Sequence, residues 1–162
     1  MGEEGKIRLK RGKKGIVEKG MGEEGRKEVN GGKGVKGLMG KGYTKLIVWK
    51  NACELRKLVY EITKKFPTKE IRRVTQMRDS ARSIKQNIQE GYKRSSIGDY
   101  IHHLSIAQGS LGELSGDVDD CLEDNLINNR EYAVLNNLIV RTDYLLMRLI
   151  QSLTKKKLEV TA

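Results

Sequence analysis

The 162-residue chain has little of what marks most functional classes. Aromatics make up 5% of it, with one Trp and one Phe, which leaves no stacking platform of the kind that RRM and OB domains offer to unpaired bases. Its two cysteines, Cys53 and Cys121, have neither CxxC spacing nor a paired histidine nearby. Each falls on or beside an apolar helical stripe, so the expectation is a buried reduced thiol rather than a disulfide or a metal ligand. No run of about 18 apolar residues occurs, and the N-terminus lacks the apolar core of a signal peptide, which points to a cytoplasmic protein without a membrane partner. Alternating β-branched runs framed by hairpin turns are missing too, and with them the strand signal. The two histidines, His102 and His103, are adjacent and point about 100° apart on a helix, so they cannot chelate one metal together. Both are expected at the surface. There is no HExxH, nucleophile elbow or phosphate loop, and the reading is of a protein that is not an enzyme and needs no cofactor.

Positive charge is abundant. The chain carries 32 Lys and Arg against 21 Asp and Glu, a net charge of +11, which favours association with polyanions without saying anything about fold. Thirteen of the 18 glycines fall in residues 1–42, with 12 Lys or Arg and 6 Glu. Such a segment has no aliphatic periodicity and a large backbone entropy cost, so a disordered basic tail is expected there. The motif MGEEG occurs at Met1 and again at Met21. All four dominant residue types of the tail have all-purine codons, which leaves two readings: translation that truly starts at Met21 or Met39, or a basic arm that binds RNA.

From residue 43 to about 157 the pattern changes to four helical stretches. Val48, Ala52, Leu55, Val59, Ile62 and Phe66 make the first apolar stripe, which stops at Pro67, the only proline. Ile71, Val74, Met77, Ala81, Ile84 and Ile88 make the second, with Thr68 as its expected cap and Gly91 as a positive-φ helix stop. Ser96 with Asp99 then reads as an N-cap. The third stripe is Tyr100, Leu104, Ala107, Leu111, Leu114, Val118 and Cys121, followed by a break at Asn125–Asn129. Asn128 with Glu131 opens the fourth helix as a capping box, and Leu135, Leu138, Thr142, Leu145, Leu149 and Leu153 line it up to Lys155–Lys157. Three short connections imply antiparallel neighbours, so the fold class is all-α, an up-down-up-down four-helix bundle.

Several stretches of the body carry a more specific likeness. They are Leu46–Ala52 with Glu54 and Leu55, then Phe66 and Pro67, and then Gln76, Arg78, Ser83, Ile84, Asn87, Ile88, Glu90, Gly91 and Arg94. They continue with Asp99, Tyr100, Ile106, Ala107, Gly109 to Leu111, Glu113 and Leu114. In composition and order this segment resembles the small four-helix bundle proteins encoded by intervening sequences inside bacterial 23S ribosomal RNA genes. The resemblance covers roughly residues 43–153. It implies a noncatalytic protein associated with ribosomal RNA or its intervening sequence, and a ring-like homopentamer. Similar bundles accompany the reverse transcriptases of diversity-generating retroelements, so a scaffold that binds a protein partner stays open, as does a selfish-element passenger with no host role.

Two surface patterns supply candidate sites. Gly98, His102, Ser105, Gly109, Gly112 and Gly116 recur at helical spacing far from the leucine stripe of the third helix. Glycine there costs about 0.8–1 kcal/mol against alanine, so close approach by another helix or subunit is expected at Gly109, Gly112 and Gly116. On the second helix Arg78, Arg82 and Lys85 form a row, with Arg72, Arg73, Lys93 and Arg94 near its ends, suited to successive RNA phosphates. Opposing that row stands an acidic stripe, Glu113, Asp117, Asp120 and Asp124, which would instead hold the cations in structural ion pairs. Ser83, Asn87 and Ser110 look like a polar layer near one bundle end, and Glu90 pairs with Arg94 at i, i+4.

Overall fold

The computed structural model describes residues 42–161, so the expected disorder before Gly42 lies outside the described residues. A 3-10 turn, Gly42–Lys45, leads into α1 (Ile47–Thr63). A second, Thr68–Glu70, precedes α2 (Ile71–Tyr92), and α3 (Ile97–Glu123) and α4 (Asn129–Thr161) follow. No strand occurs among the described residues. Each helix packs on its neighbours in sequence, and α1 closes against α4. The diagonal pairs α1/α3 and α2/α4 share no Cα approach within 8 Å. That arrangement is an up-down-up-down square, in which every helix spends one apolar stripe on a shared core.

The four stripes meet as the periodicity requires. Ala52, Leu55, Val59, Met77, Ile84, Ile88, Leu104, Leu114 and Leu135 are sealed from solvent. A fully buried Leu or Ile is worth about 1.5–3 kcal/mol relative to exposure. Three expectations need correction. Ile71 is 61% exposed rather than buried, because the 3-10 turn before it delays entry of α2 into the core by one turn. On α4, Leu146 and Ile139 are buried while Leu145, Leu149 and Leu153 are half-buried; a long helix curving around a shared core does not keep a strict heptad. Thr68 does not cap α2, whose N-cap is Glu70, with no side-chain hydrogen bond.

The other helix ends follow the sequence. Ser96 Oγ accepts from the Asp99 amide at 3.0 Å. Asn128 and Glu131 form a full reciprocal box: the Glu131 amide donates to Asn128 Oδ1 at 2.9 Å and the Asn128 amide to Glu131 Oε2 at 3.0 Å. α3 closes in a Schellman turn, with the Leu126 amide bonded to Cys121 O and the Asn125 amide to Leu122 O. Asn125 takes φ 57° to make it, a conformation asparagine tolerates better than other side-chain-bearing residues. Gly91 has a different job from the one its position suggests. It lies inside α2, and a Cβ there would meet Tyr100 Cδ2 at 2.7 Å and His103 Cβ at 2.9 Å. Its absent side chain lets α2 and α3 touch.

Candidate nucleic-acid interface

α2 presents its cations on three different sides, and the neighbouring helices decide what each one does. On the α3 side Arg73 is held by Asp124 at 2.5 Å and lies 3.9 Å from Glu70. This is where the acidic stripe meets the basic one, and Arg73 is its only cationic partner among the described residues. Two other acids of the stripe face polar groups instead: Asp117 accepts from Gln76 at 3.2 Å and Glu113 from Ser80 at 3.4 Å. Burial pushes the Asp117 carboxyl above its ordinary range, with Asp120 adding to the shift. On the outer side Arg82 pairs with Asp79 at 3.0 Å, and just past the end of α2 Arg94 pairs with Glu90 at 3.3 Å. Arg72 is exposed on the outer side.

The α1 side is different. Arg78 lies 4.2 Å from the ring centre of Tyr60, Lys85 Nζ 5.7 Å from that of Trp49, and Lys93 Nζ 5.7 Å from that of Tyr43. The three cations stand about 10 and 12 Å apart along α2, at 1.5 Å per residue. Trp49, Cys53, Arg56 and Tyr60 recur at helical spacing on the facing side of α1, which brings Arg56 to the same seam. Among the described residues no carboxylate lies within ion-pair distance of Arg56, Arg78, Lys85 or Lys93. The charges of Arg78, Lys85 and Lys93 meet only ring faces, an attraction worth about 0.5–1 kcal/mol at exposed sites. Arg78 is additionally fixed by donating Nε–H to Thr63 Oγ1 at 2.9 Å. Such cations remain available to an anion.

Sequence reasoning grouped Arg78, Arg82 and Lys85; the fold separates Arg82 from the other two and puts Lys93 in its place. Tyr43, Trp49, Arg56 and Tyr60 were not foreseen as part of this surface. For Trp49, Arg56 and Tyr60 the spacing on α1 carried the signal, but only the register of α1 against α2 turns it into a row of cation and ring pairs.

A polar layer links α2 to α3 beyond this seam. Ser83 Oγ and Ser110 Oγ are 2.8 Å apart, and Asn87 Nδ2 donates to Ser83 O at 3.0 Å. Arg94 Nε–H donates to His103 Nε2 at 3.1 Å, so His103 carries its proton on Nδ1 and gives it to Asn87 Oδ1 at 3.0 Å. His103 is therefore a half-buried structural link, not the surface histidine its neighbour suggests; His102 is exposed. Of the two thiols, Cys121 is buried as expected and Cys53 is half-buried. Cys121 is sealed beside Met77, and desolvation pushes its pKa up to about 11. Cys53 is raised for the same reason, against the nearby Lys85 charge.

The glycine stripe of α3 faces outward. A Cβ at Gly109, Gly112 or Gly116 would meet nothing within 4 Å, so no described helix makes the close approach that their cost calls for. Beside them on α4, Val140 and Tyr144 are 58% and 56% exposed, and a groove of about 270 Å³ between α3 and α4 is lined by Gln108, Gly112, Val140 and Asp143.

No described helix is long and apolar enough to cross a membrane. Among the described residues, no group of three or more His, Cys, Asp or Glu side chains is placed to hold a metal ion. The family model described as 23S rRNA-intervening sequence protein matches residues 44–148. A crystal structure of a protein of unknown function from the S23 ribosomal protein family of Bacteroides thetaiotaomicron is similar, at 23% identity and TM-score 0.58, over 64% of this chain and 98% of that one. No curated protein matches the chain. With the matched region spanning all three helix connections and most of the bundle, the chain belongs to the 23S rRNA-intervening sequence protein family.

Proposed function

We propose that the protein is a noncatalytic, homo-oligomeric partner of RNA in the cytoplasm that binds 23S ribosomal RNA, or its intervening sequence, through the α1/α2 seam. The observation that carries this is the row of Arg78, Lys85 and Lys93 on aromatic faces, joined by Arg56, with no carboxylate to neutralise them. Of the other cations, Arg73 and Arg82 on α2 and Arg94 just past its end are committed to carboxylates, and Arg72 is exposed on the outer side. The family supplies the kind of RNA. A noncatalytic role is supported by the use made of the reactive side chains, since His103 is tied into the polar layer and both thiols are raised away from the reactive thiolate.

Self-association rests on the outward glycine stripe with exposed Val140 and Tyr144 beside it, a surface of small and apolar residues that a second copy would cover. The resemblance makes five the expected number of subunits. In sedimentation the full-length chain runs as that multimer at micromolar concentration, and Gly112→Leu dissociates it with helical circular dichroism retained; a monomeric wild type defeats the assembly.

RNA binding is tested with the full-length chain and a hairpin transcribed from 23S rRNA. Binding weakens steeply with salt, because each neutralised phosphate releases a counterion. Replacing Arg56, Arg78 and Lys85 together by Gln lowers the slope of log affinity against log salt by about 3, roughly one per phosphate contact. Arg82→Gln, already paired with Asp79, lowers it less. If the wild type shows no salt-sensitive RNA binding, the RNA reading is wrong, and a scaffold for a protein partner takes its place.

A further inference from the structure

One end of the bundle gathers the start of α1, the turn between α2 and α3, and the last turns of α4. A chain of rings ties the first two together: Tyr43 stands 5.3 Å from Trp49 and 6.2 Å from Tyr92, and Tyr92 6.2 Å from Tyr100. Lys157 Nζ reaches the first turn of α3, 3.4 Å from where a Cβ of Gly98 would stand, which brings the end of α4 to the same place. The sequence loads this end with cations. Lys45, Lys50, Lys93, Arg94 and Lys155–Lys157 lie there, against Glu90, Asp99 and Glu159. Arg94 and Glu90 neutralise each other. At the opposite end the last turns of α3 and the residue after it carry Asp117, Asp119, Asp120, Glu123 and Asp124. With Glu61, Glu70 and Glu131 these make eight carboxylates against the six cations Lys64, Lys65, Lys69, Arg72, Arg73 and Arg130, so that end keeps a small excess of negative charge. The bundle is thus polarised along its long axis, and the row of cations on α2 climbs from the acidic end toward the basic one, reaching it at Lys93.

From this polarity we infer that the basic end is a second contact for the RNA sugar-phosphate backbone, continuous with the α1/α2 seam. RNA bound in the seam runs out over Lys93, Lys155 and Lys156, and not over the acidic end. The inference rests on the RNA-binding reading of the seam and adds the direction in which the bound strand leaves it. Lysines at the end of α4 also suit the helix dipole, but that effect needs only a cation near the last turn, and it does not account for the lysines on the 3-10 turn, α1 and the α2–α3 turn. α3, at 27 residues, separates the two ends by about 40 Å at 1.5 Å per residue. That is several Debye lengths of about 8–10 Å at physiological salt, so each end acts on RNA locally.

The test uses the full-length chain and the same 23S hairpin across a salt series. Lys155→Gln with Lys156→Gln lowers the salt slope by about 2, and adds to the loss of about 3 from the seam triple. Asp120→Asn with Glu123→Gln, which changes net charge by the same amount at the far end, leaves slope and affinity as in the wild type. A slope unchanged in the lysine double, with the seam triple still lowering it, overturns the inference and leaves the seam reading standing. A far-end double that strengthens binding as much as the lysine double weakens it also overturns it, since net charge alone would then govern binding. A wild type without salt-sensitive binding removes both the inference and the reading beneath it.

Discussion

Replacing Gly91 by alanine sets two opposed effects against each other at one position. Alanine in a helix interior is favoured over glycine by about 0.8–1 kcal/mol, and by that argument alone Gly91→Ala would stabilise α2. Its new methyl, however, arrives 2.7 Å from Tyr100 Cδ2, 2.9 Å from His103 Cβ and 3.2 Å from Tyr100 O. Two of these atoms belong to or adjoin the α3 backbone and cannot swing aside, so the helices must separate. Overpacking of this kind costs about 1–3 kcal/mol. The net expectation is a loss of about 1–2 kcal/mol, and Gly91→Val loses more. For a domain of this size each kcal/mol moves the midpoint by about 3–5 °C. Thermal unfolding followed by far-ultraviolet circular dichroism, at one fixed protein concentration because assembly contributes to stability, gives the comparison. Gly112→Ala serves as the internal reference: with nothing within 4 Å of its Cβ, the same substitution keeps the propensity gain within the protomer. If Gly91→Ala melts at or above the wild type, the close α2/α3 contact is not what this glycine is for.

Three further outcomes follow from the same structure. Asn125→Gly removes the side chain from the φ 57° position and raises stability by a few tenths to about 1 kcal/mol, read from urea unfolding; a destabilised variant would show that the asparagine side chain matters more than the backbone conformation. The Glu131 carboxyl is held below its ordinary value of 4.5 by the Lys65 ammonium and the Asn128 amide. Its contribution is therefore complete above that value and fades as pH falls through the lower folded-state value, so the stability gap between wild type and Glu131→Gln narrows on acidification and a constant gap refutes the capping role. Cys121, at about 11 and sealed in the core, resists a thiol reagent at pH 8 until the bundle unfolds; prompt labelling of the native protein there would contradict the packing.

Much of the bundle was legible because helical periodicity is a one-dimensional signal. The stripes on α1 and α3 were read from spacing alone and are buried as read except at their ends, where Tyr100 and Phe66, the latter past the end of α1, are half-buried, and the Asn128–Glu131 box closes as its residues imply. Failures fall where the outcome depends on a second helix. Gly91 looks like a helix stop until Tyr100 and His103 are placed against it, and Ile71 looks buried until the 3-10 turn delays α2. The cations follow the same division. Their number and their place on α2 are in the sequence, but which of them meets a carboxylate and which meets a ring depends on how α1 and α3 register against that helix.

The chain's single tryptophan stands within the seam, with Lys85 over its ring and Tyr43 at its edge. Its emission is therefore an intrinsic gauge of whether the seam is occupied, and no attached dye is needed. Because α1 and α3 lie on a diagonal of the square and do not meet, the gauge sits across the bundle from the glycine stripe. Fluorescence titration thus follows RNA at one face while sedimentation follows self-association at the other, and the two equilibria can be read separately in a single unlabelled sample.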